Sequence, residues 1–291
     1  MAIISLTSIP ARFSGLSETL ASLLRQTVEV DEIRLHIPQA YRRFPDWDGT
    51  LPDVPKGVRV IRTEDDLGPA SKALHAVRDL QGTSTPILFC DDDRIYPQGW
   101  AKGLLKAHAE KPDCCIAVYG RHLHKILKTE PLPLPGPRAK VGKEYFDPAY
   151  RWERTLQRLR ERRATPLGPR PSRRPVAQPG YSEVLLGYAG VLVLPEFFDE
   201  TAFDIPHDVW MVDDIWLSGQ LAQRNVPIWL PKRQPVCLRA TNDPVAALRD
   251  SVFDGADRDC SNRRAIAYFQ QTYGIWQATP ADERRSVPGK R

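Results

Sequence analysis

The sequence lacks any long apolar run. None of its segments approaches the ~18 to 20 consecutive hydrophobic residues that a helix needs to cross a bilayer. The first nine residues are also too short and too polar for a secretory signal. These absences predict a cytoplasmic protein, one that could touch a membrane only peripherally, at its inner face.

Cysteine is scarce, and histidine is poorly placed for metal binding. The five cysteines include the adjacent pair Cys114 and Cys115, which lies in a strand-like run rather than in a CxxC knuckle. We therefore expect all five cysteines to be reduced and structural. His122 and His124 have a His-x-His spacing, but their context favours the edge of a strand or loop over a metal site.

Acidic residues are nearly absent from a basic segment in the middle of the chain. Residues 151–174 hold nine arginines and two glutamates, whereas the whole chain has a net charge of +5. Ten of the 27 prolines fall within residues 131–179, which argues against a regular sheet in that region. This composition predicts a Pro/Arg-rich insertion at 121–180.

The insertion also carries a helical pattern. Because Trp152, Leu156 and Leu159 have helical spacing, residues 150–163 are predicted to form an amphipathic helix with a basic face. The segment 151–174 could contact an anionic membrane or an acidic acceptor, and a solvated helix joined to a disordered proline-rich linker is the alternative. Nucleic-acid binding is disfavoured, because aromatic residues are not interleaved through the run.

The rest of the sequence alternates β-rich runs with helical stripes. Strands are predicted at 3–6, 33–37, 58–61, 87–89, 115–119, 191–194 and 228–230, and helices at 100–110 and 213–221. Strands separated by helices over such short distances imply parallel pairing with right-handed crossovers. The sequence therefore predicts one α/β domain over 1–291, with a mixed, mainly parallel Rossmann-like sheet flanked by helices, and a flexible tail at 280–291.

The apolar run at 87–89 leads, after Cys90, into three consecutive aspartates, Asp91, Asp92 and Asp93. Adjacent carboxylates repel one another, and a buried strand end gains nothing from them unless a cation or a hydrogen-bonding ligand offsets that cost. In a parallel sheet, such a strand end opens on the crevice where nucleotides bind. A divalent metal site is therefore predicted here, and an acidic turn after a strand is the plainer alternative.

These three aspartates resemble the DxD motif of GT-A fold glycosyltransferases, among them family 2-like and exostosin-like bacterial polysaccharide enzymes. The resemblance implies that Asp91 contacts the donor ribose or the metal and its water, and that Asp93 coordinates Mn²⁺ or Mg²⁺. Asp92 would belong to the same nucleotide site. A hard cation held by oxygen ligands would stabilise the negative charge that grows on a departing diphosphate.

Two segments that precede the aspartates fit the same resemblance. The loop after the first strand carries Thr7 and Arg12, which would touch the base, ribose or phosphates; an ordinary proline-containing turn is the alternative. The segment 65–72 places Lys72 one turn into a helix whose free N–H groups suit an anionic ligand. Asp66 and Lys72 are thus predicted to line the nucleotide pocket, unless Asp65 or Asp66 only caps the helix and Lys72 lies on its solvated side.

Asp213 and Asp214 stand where GT-A enzymes often carry an acidic motif at the start of a helix. In inverting members such an aspartate removes the proton of the acceptor hydroxyl, so Asp214 is the candidate general base and Asp213 its support. Helix capping is the alternative role for the pair. The stereochemistry stays open, because exostosin-like enzymes retain configuration and do not need this base.

Gly187, Tyr188 and Gly190 precede the predicted strand at 191–194 and resemble the glycine-containing loop beside the donor sugar. The glycines would admit a sugar ring, and Tyr188 could stack on it. The resembled pattern also includes a metal-binding histidine near the C-terminus, which this chain lacks, because no histidine follows His207.

The residues and the resemblance together predict metal-dependent sugar transfer. The donor would be a nucleotide diphosphate, with a UDP-sugar favoured by the resemblance, and the acceptor a hydroxyl of a glycan or lipid-linked glycan in cell-surface polysaccharide synthesis. A nucleotidyltransferase is an alternative, although the first strand lacks a glycine-rich, lysine-containing signature. The second alternative is a non-catalytic protein that binds nucleic acid or membrane through its basic segment.

Overall fold

The computed structural model describes residues 2–141, 148–161, 175–242, 245 and 258–277. Over these residues the strands are β1 Ile3–Thr7, β2 Glu32–Pro38, β3 Val58–Thr63, β4 Ile87–Phe89, β5 Arg94–Ile95, β6 Cys115–Ala117, β7 Gly120–Arg121, β8 Lys140–Val141, β9 Val176–Gln178, β10 Gly180–Ser182, β11 Val184–Leu185, β12 Val191–Val193, β13 Ile228–Leu230 and β14 Leu238–Arg239. The helices are α1 Ser17–Leu24, α2 Ser71–Asp79, α3 Trp100–Glu110, α4 Leu123–Leu127, α5 Pro148–Glu161, α6 Asp213–Gln223 and α7 Arg258–Tyr273. None of the helices in this part of the chain is long and apolar enough to cross a membrane.

Eight strands form one central sheet, in the order β10-β13-β6-β12-β4-β1-β2-β3. β1 pairs in parallel with β2 and β4, β2 pairs in parallel with β3, and β13 pairs in parallel with β6. β12 is antiparallel to β4 and β6, and β10 is antiparallel to β13. The predicted mixed, mainly parallel sheet, which the GT-A resemblance also implies, is therefore confirmed.

Helices cover both faces of this sheet, because its central strands are apolar on both sides. On one face, Ile3 and Phe89 belong to a core that includes residues of α2 and α6. On the other face, Ile4, Leu6 and Leu88 belong to a core that includes residues of α1 and α3. This alternation sets the register of β1 and β4, and it thereby aligns their carboxyl ends at one edge of the sheet.

The predicted insertion forms small elements beside the central sheet. β8 pairs with β9, and β7 pairs with β11, in separate two-stranded sheets. Among the described residues of the insertion, only Gly180 enters the central sheet, at the start of β10. Helix α5 overlaps the helix predicted at 150–163, while residues 162–174 of the basic segment and the predicted tail at 280–291 lie outside the described residues.

A buried ionic cluster ties the insertion to the rest of the fold. His122 Nδ1 lies 2.8 Å from Glu183 Oε2, and His122 Nε2 lies 2.8 Å from the carbonyl oxygen of Ala139. Arg138 Nη1 donates a hydrogen bond to Glu183 Oε1 at 2.5 Å. His122 therefore has a structural role just before α4.

All five cysteines are free, and four of them are buried.

Candidate active site

The carboxyl ends of the parallel strands open on one cavity of about 730 Å³. Thr7 ends β1, the three aspartates follow β4, and Asp66 lies between β3 and α2. Ten of the twelve predicted site residues line this cavity: Thr7, Arg12, Asp66, Lys72, Asp91, Asp92, Asp93, Tyr188, Asp213 and Asp214. Gly187 and Gly190 are not among its lining residues.

Lys72 links the three aspartates to the second acidic pair. Its Nζ lies 2.5 Å from Asp91 Oδ1 and 2.7 Å from Asp213 Oδ2, and its side chain is only 5% exposed. Burial opposes the charge of this lysine, but Asp213 and Asp91 raise the pKa of Lys72 above its ordinary value. Burial also opposes ionisation of Asp91, yet Lys72 holds the pKa of Asp91 below its usual range. The alternative of a solvated Lys72 is therefore wrong.

Asp92 is held by the loop that follows β1. Ser8 Oγ donates to Asp92 Oδ2 at 2.5 Å, and Arg12 Nη1 donates to Asp92 Oδ1 at 2.7 Å. The carbonyl oxygen of Asp92 accepts hydrogen bonds from Thr19 Oγ1 at 2.8 Å and from Asn242 Nδ2 at 3.3 Å. Both carboxylate oxygens of Asp92 are thus engaged, and the residue anchors the aspartates to the loop.

Arg12 balances the charge of two aspartates. Besides its bond to Asp92, its Nη1 lies 3.2 Å from Asp93 Oδ2, and its Nε donates to the carbonyl oxygen of Val245 at 2.8 Å. Burial opposes the charge of the guanidinium, but Asp92 and Asp93 raise the pKa of Arg12. These contacts give Arg12 a structural role, and its predicted contact with a nucleotide stays a prediction.

Asp93 lies between two guanidinium groups, and one of its carboxylate oxygens has no hydrogen-bond donor among the described residues. Its Oδ1 is buried and accepts no hydrogen bond from the described residues, and Arg94 Nη1 lies 3.2 Å away. Burial and the charge of Asp91 raise the pKa of Asp93 to about 7. A bound cation would favour the ionised form of this carboxyl group.

The chemistry of these donors fits a hard cation that shares its ligands with a substrate. The described residues contain no group of three or more histidine, cysteine or acidic side chains arranged to hold a metal ion. Mg²⁺, however, is commonly bound through one or two carboxylates together with substrate phosphates and water. Asp93 and Asp91 would be the two carboxylates of such a site, and Mn²⁺ accepts the same oxygen ligands.

Asp66 and Thr7 form hydrogen bonds to the backbone at the cavity wall. Asp66 Oδ2 accepts the N–H of Arg42 at 2.8 Å, and Asp66 Oδ1 accepts the N–H of Gly68 at 2.9 Å. Burial raises the pKa of Asp66 despite these bonds. Thr7 Oγ1 donates to the carbonyl oxygen of His36 at 2.8 Å. Asp66 therefore stabilises the turn that leads into α2. This role resembles the helix capping that was the alternative prediction for Asp66.

Asp214 is the second residue of α6. Its Oδ1 accepts the N–H of Gly187 at 2.7 Å, and its Oδ2 lies 3.8 Å from Arg258 Nη2. Burial and the charge of Asp213 raise the pKa of Asp214 to about 7. A Cβ atom at Gly187 would lie 2.6 Å from Lys72 Nζ and 3.2 Å from Asp214 Oδ1. Gly187 thus makes room for the side chains of Lys72 and Asp214, whereas the sequence predicted that it would make room for a sugar ring.

Gly190 has a packing role outside the cavity. Its φ is +104°, and a Cβ atom there would lie 2.0 Å from Trp100 Nε1. That indole N–H donates to the carbonyl oxygen of Ala189 at 3.0 Å. Backbone conformation and the packing of Trp100 both require glycine at this position. Gly190 therefore serves the packing of Trp100, whereas the sequence predicted a contact with a donor sugar. Tyr188 does line the cavity, with the guanidinium of Arg94 5.3 Å from its ring centroid.

Several cavity residues were not among the residues predicted from the sequence. They are the arginines Arg43, Arg94, Arg121, Arg239 and Arg258 and the aromatic residues Tyr41, Phe44, Tyr119 and Trp210. Arg94 directly follows the three aspartates, so its position alone could have identified it. The other residues come from separate elements, and only the fold brings them together. With them, the lining contains seven cationic and six acidic residues, so the cavity is not acidic overall.

No family model matches the sequence, and no curated protein matches it. Among solved structures, a crystal structure of S. aureus TarS 1-349 is 11% identical with a TM-score of 0.44, and the alignment covers 98% of this chain and 77% of that chain. A crystal structure of GalNAc-T7 with UDP, GalNAc and Mn²⁺ is 13% identical with a TM-score of 0.49, and the alignment covers 99% of this chain and 51% of that chain. These likenesses are too distant to carry an argument about function.

Replacing Arg12 with glutamine should destabilise the protein more at high pH than at low pH. The variant leaves the buried carboxylates of Asp92 and Asp93 without their shared cation, which costs about 3–5 kcal/mol of unfolding free energy near pH 8. Burial raises the pKa of both carboxyl groups in the folded protein, to about 7 for Asp93. Below the pKa of the unfolded chain both groups are neutral, and the folded protein does not bear the cost of burying their charges. This contribution to the unfolding free energy is lost as the pH rises through the pKa of the folded protein. Urea unfolding at about pH 5 and about pH 8 measures the difference.

Arg59→Gln is a matched control for this experiment, because Arg59 is 67% exposed and pairs with Glu32 at the surface. It should change the unfolding free energy by less than about 1 kcal/mol at either pH. Equal losses for Arg12→Gln at both pH values would contradict the ionic role of Arg12.

Proposed function

We propose that the protein is a GT-A-type glycosyltransferase, which moves a sugar from a nucleotide diphosphate to an acceptor hydroxyl. One observation carries the proposal: in a single cavity, Lys72 joins the aspartates after β4 to the acidic pair at the start of α6. Sugar transfer needs positive charge beside the departing diphosphate and a base beside the attacking hydroxyl. The arrangement supports both requirements within one site.

The donor diphosphate would bind beside the three aspartates. Arg12, Lys72 and Arg94 supply positive charge there, and charged donors form strong hydrogen bonds to phosphate oxygens. Asp93 and Asp91 would hold Mn²⁺ or Mg²⁺, and the cation would stabilise the negative charge of the leaving group. The cavity volume of about 730 Å³ is within the range of small-molecule sites. A UDP-sugar is the proposed donor because the resemblance favours it.

Asp214 is the proposed general base, and Asp213, paired with Lys72, is its supporting carboxylate. The pKa of Asp214, raised to about 7, suits proton transfer near neutral pH. The hydroxyl of a glycan or lipid-linked acceptor would give its proton to Asp214 and attack the anomeric carbon. This role implies inversion of configuration. A product with retained configuration would remove this role from Asp214 and leave the transferase proposal in place.

Assays can distinguish the proposed function from its two alternatives. A nucleotidyltransferase would release pyrophosphate from a nucleoside triphosphate and a sugar phosphate, whereas the proposed enzyme would release a nucleoside diphosphate from a nucleotide sugar. A non-catalytic binding protein would keep its function when Asp91 and Asp93 are changed to alanine. The buried ion pairs around the aspartates favour a ligand-binding cavity over a binding surface for nucleic acid.

Asp93→Asn should weaken Mn²⁺-dependent binding of UDP by about tenfold or more, because it removes the charge of the carboxylate oxygen best placed for the metal. A thermal-shift screen of UDP, GDP, CDP and dTDP with manganese selects the nucleotide, and titration calorimetry then measures its affinity. Asp65→Asn is the matched control, since Asp65 is 54% exposed and pairs with Arg78. Unchanged manganese-dependent affinity in Asp93→Asn would contradict the assignment.

Asp214→Asn should lower the rate of transfer by about 10²- to 10⁴-fold while leaving UDP affinity nearly unchanged. The wild-type rate should rise with pH through about 7, as Asp214 loses its proton, and the variant should lose this rise. Initial rates of UDP release with a saturating acceptor, measured between about pH 5.5 and about pH 8.5, test both expectations. A variant with the wild-type rate and pH profile would exclude Asp214 as the base.

We also propose that α5 lets the protein touch an anionic membrane. Trp152 is 66% exposed and Leu159 is 51% exposed, and they lie two helical turns apart, on the same face. Arg158, also exposed, adds positive charge beside them. The protein should sediment with vesicles that contain phosphatidylglycerol and not with phosphatidylcholine vesicles. The double variant Trp152→Ser and Leu159→Ser should lose this binding, and undiminished binding would contradict the role of α5.

A further inference from the structure

The cavity has two walls that come from different parts of the sheet. The first wall is formed by the end of β1 and the segments after β2 and β3, and it includes Arg12 and Asp66. The second wall is formed by β7, the segment after β11 and the starts of α6 and α7, and it includes Arg121, Asp214 and Arg258. The three aspartates lie between the walls, because β4 stands between β1 and β12 in the sheet.

Within the described part of the chain, neither arginine of the second wall forms a side-chain hydrogen bond with an acidic residue of that wall. Asp213 is already paired with Lys72 at 2.7 Å. Asp214 accepts a backbone hydrogen bond from Gly187, and Arg258 lies 3.8 Å from it, beyond hydrogen-bond distance. Arg121 and Arg258 thus line the wall together with Asp214, and their guanidinium groups remain available to a ligand that enters the cavity.

Ordered elements hold both arginines in place. Arg121 pairs with Val184 across β7 and β11, and Ser182 Oγ donates to the carbonyl oxygen of Arg121 at 2.9 Å. Two residues after β11, Gly187 binds Asp214 through its N–H, so the strand pair and the candidate base belong to one hydrogen-bonded unit. Arg258 opens α7, a helix whose apolar residues pack in one core with those of α6.

The proposed donor site and these two arginines belong to different parts of the cavity lining. Arg94 lies beside the three aspartates, whereas Arg121 and Arg258 share the second wall with Asp214. A group bound there would lie near the hydroxyl that gives its proton to Asp214. Arginine binds carboxylates and phosphates through charge-assisted, often bidentate hydrogen bonds.

We infer that the acceptor carries an anionic group, a carboxylate or a phosphate, near the hydroxyl that reacts, and that Arg258 and Arg121 bind this group. The inference rests on the proposed function, because it assigns the second wall to the acceptor. It names a substrate class that neither the three aspartates nor the fold implies. An acidic sugar or a phosphorylated sugar would satisfy it.

Acceptors that differ only in the anionic group test the inference. The methyl glycosides of glucose and galactose are compared with those of glucuronic and galacturonic acid and with the 6-phosphates of the two neutral glycosides. UDP release is measured with the nucleotide sugar selected by donor binding. The anionic acceptors should have a KM about 10- to 100-fold below that of their neutral counterparts. The two anionic series distinguish a carboxylate from a phosphate acceptor.

Variants at the second wall identify the residues responsible. Arg258→Gln and Arg121→Gln should each raise the KM for the anionic acceptor by about tenfold relative to the KM for its neutral counterpart, with the UDP affinity unchanged within about twofold. Arg258→Lys should recover part of the loss, because it keeps the charge. Arg59→Gln, at the surface of β3, is the control and should behave as the wild type.

The outcomes separate the inference from the proposed function. Equal use of neutral and anionic acceptors, with donor binding intact, would overturn the inference and leave the transferase proposal standing. If both arginine variants kept the preference for anionic acceptors, the assignment of Arg258 and Arg121 would also be overturned. Failure of the wild type to bind any nucleoside diphosphate would overturn the proposed function itself.

Discussion

One buried ammonium group holds the candidate site together. Lys72 lies within 2.7 Å of a carboxylate oxygen from each of two segments that are far apart in sequence, the aspartates after β4 and the acidic pair of α6. Without it, Asp91 and Asp213 would be left close together with no shared cation, a strongly unfavourable arrangement for a buried acid. The absence of a side chain at Gly187 leaves space for this lysine. One lysine therefore links the donor side of the cavity to the helix that carries the candidate base.

The electrostatics of the cavity follow from the same constraint. Six acidic residues are gathered in a confined space, and the fold compensates for them with arginines and one lysine. Asp92 is fully engaged by Ser8 and Arg12, whereas Asp93 keeps an oxygen without a hydrogen bond from the described residues. Three adjacent aspartates thus have three different environments: one pairs with Lys72, one anchors a loop, and one keeps a carboxylate oxygen without a hydrogen bond from the described residues.

Local signals in the sequence were sufficient for most of the fold. β4 and α3 occupy 87–89 and 100–110 as predicted, because apolar periodicity and the flanking turn residues act over short distances. The three aspartates indicated a site because packing alone gives no reason for adjacent carboxylates. The partners of those carboxylates were not predictable. The pairing of Lys72 with Asp213 and the packing of Trp100 on Gly190 depend on strand order, which no local pattern encodes.

Anomalous diffraction from crystals grown with Mn²⁺ and UDP would locate the metal and the diphosphate in one experiment. The expected result is a manganese peak bonded to the carboxylate of Asp93 and to the diphosphate oxygens, with the Lys72 ammonium beside the same group of ligands. UDP bound in the cavity with no manganese at the aspartates, or bound at a different place on the protein, would contradict it.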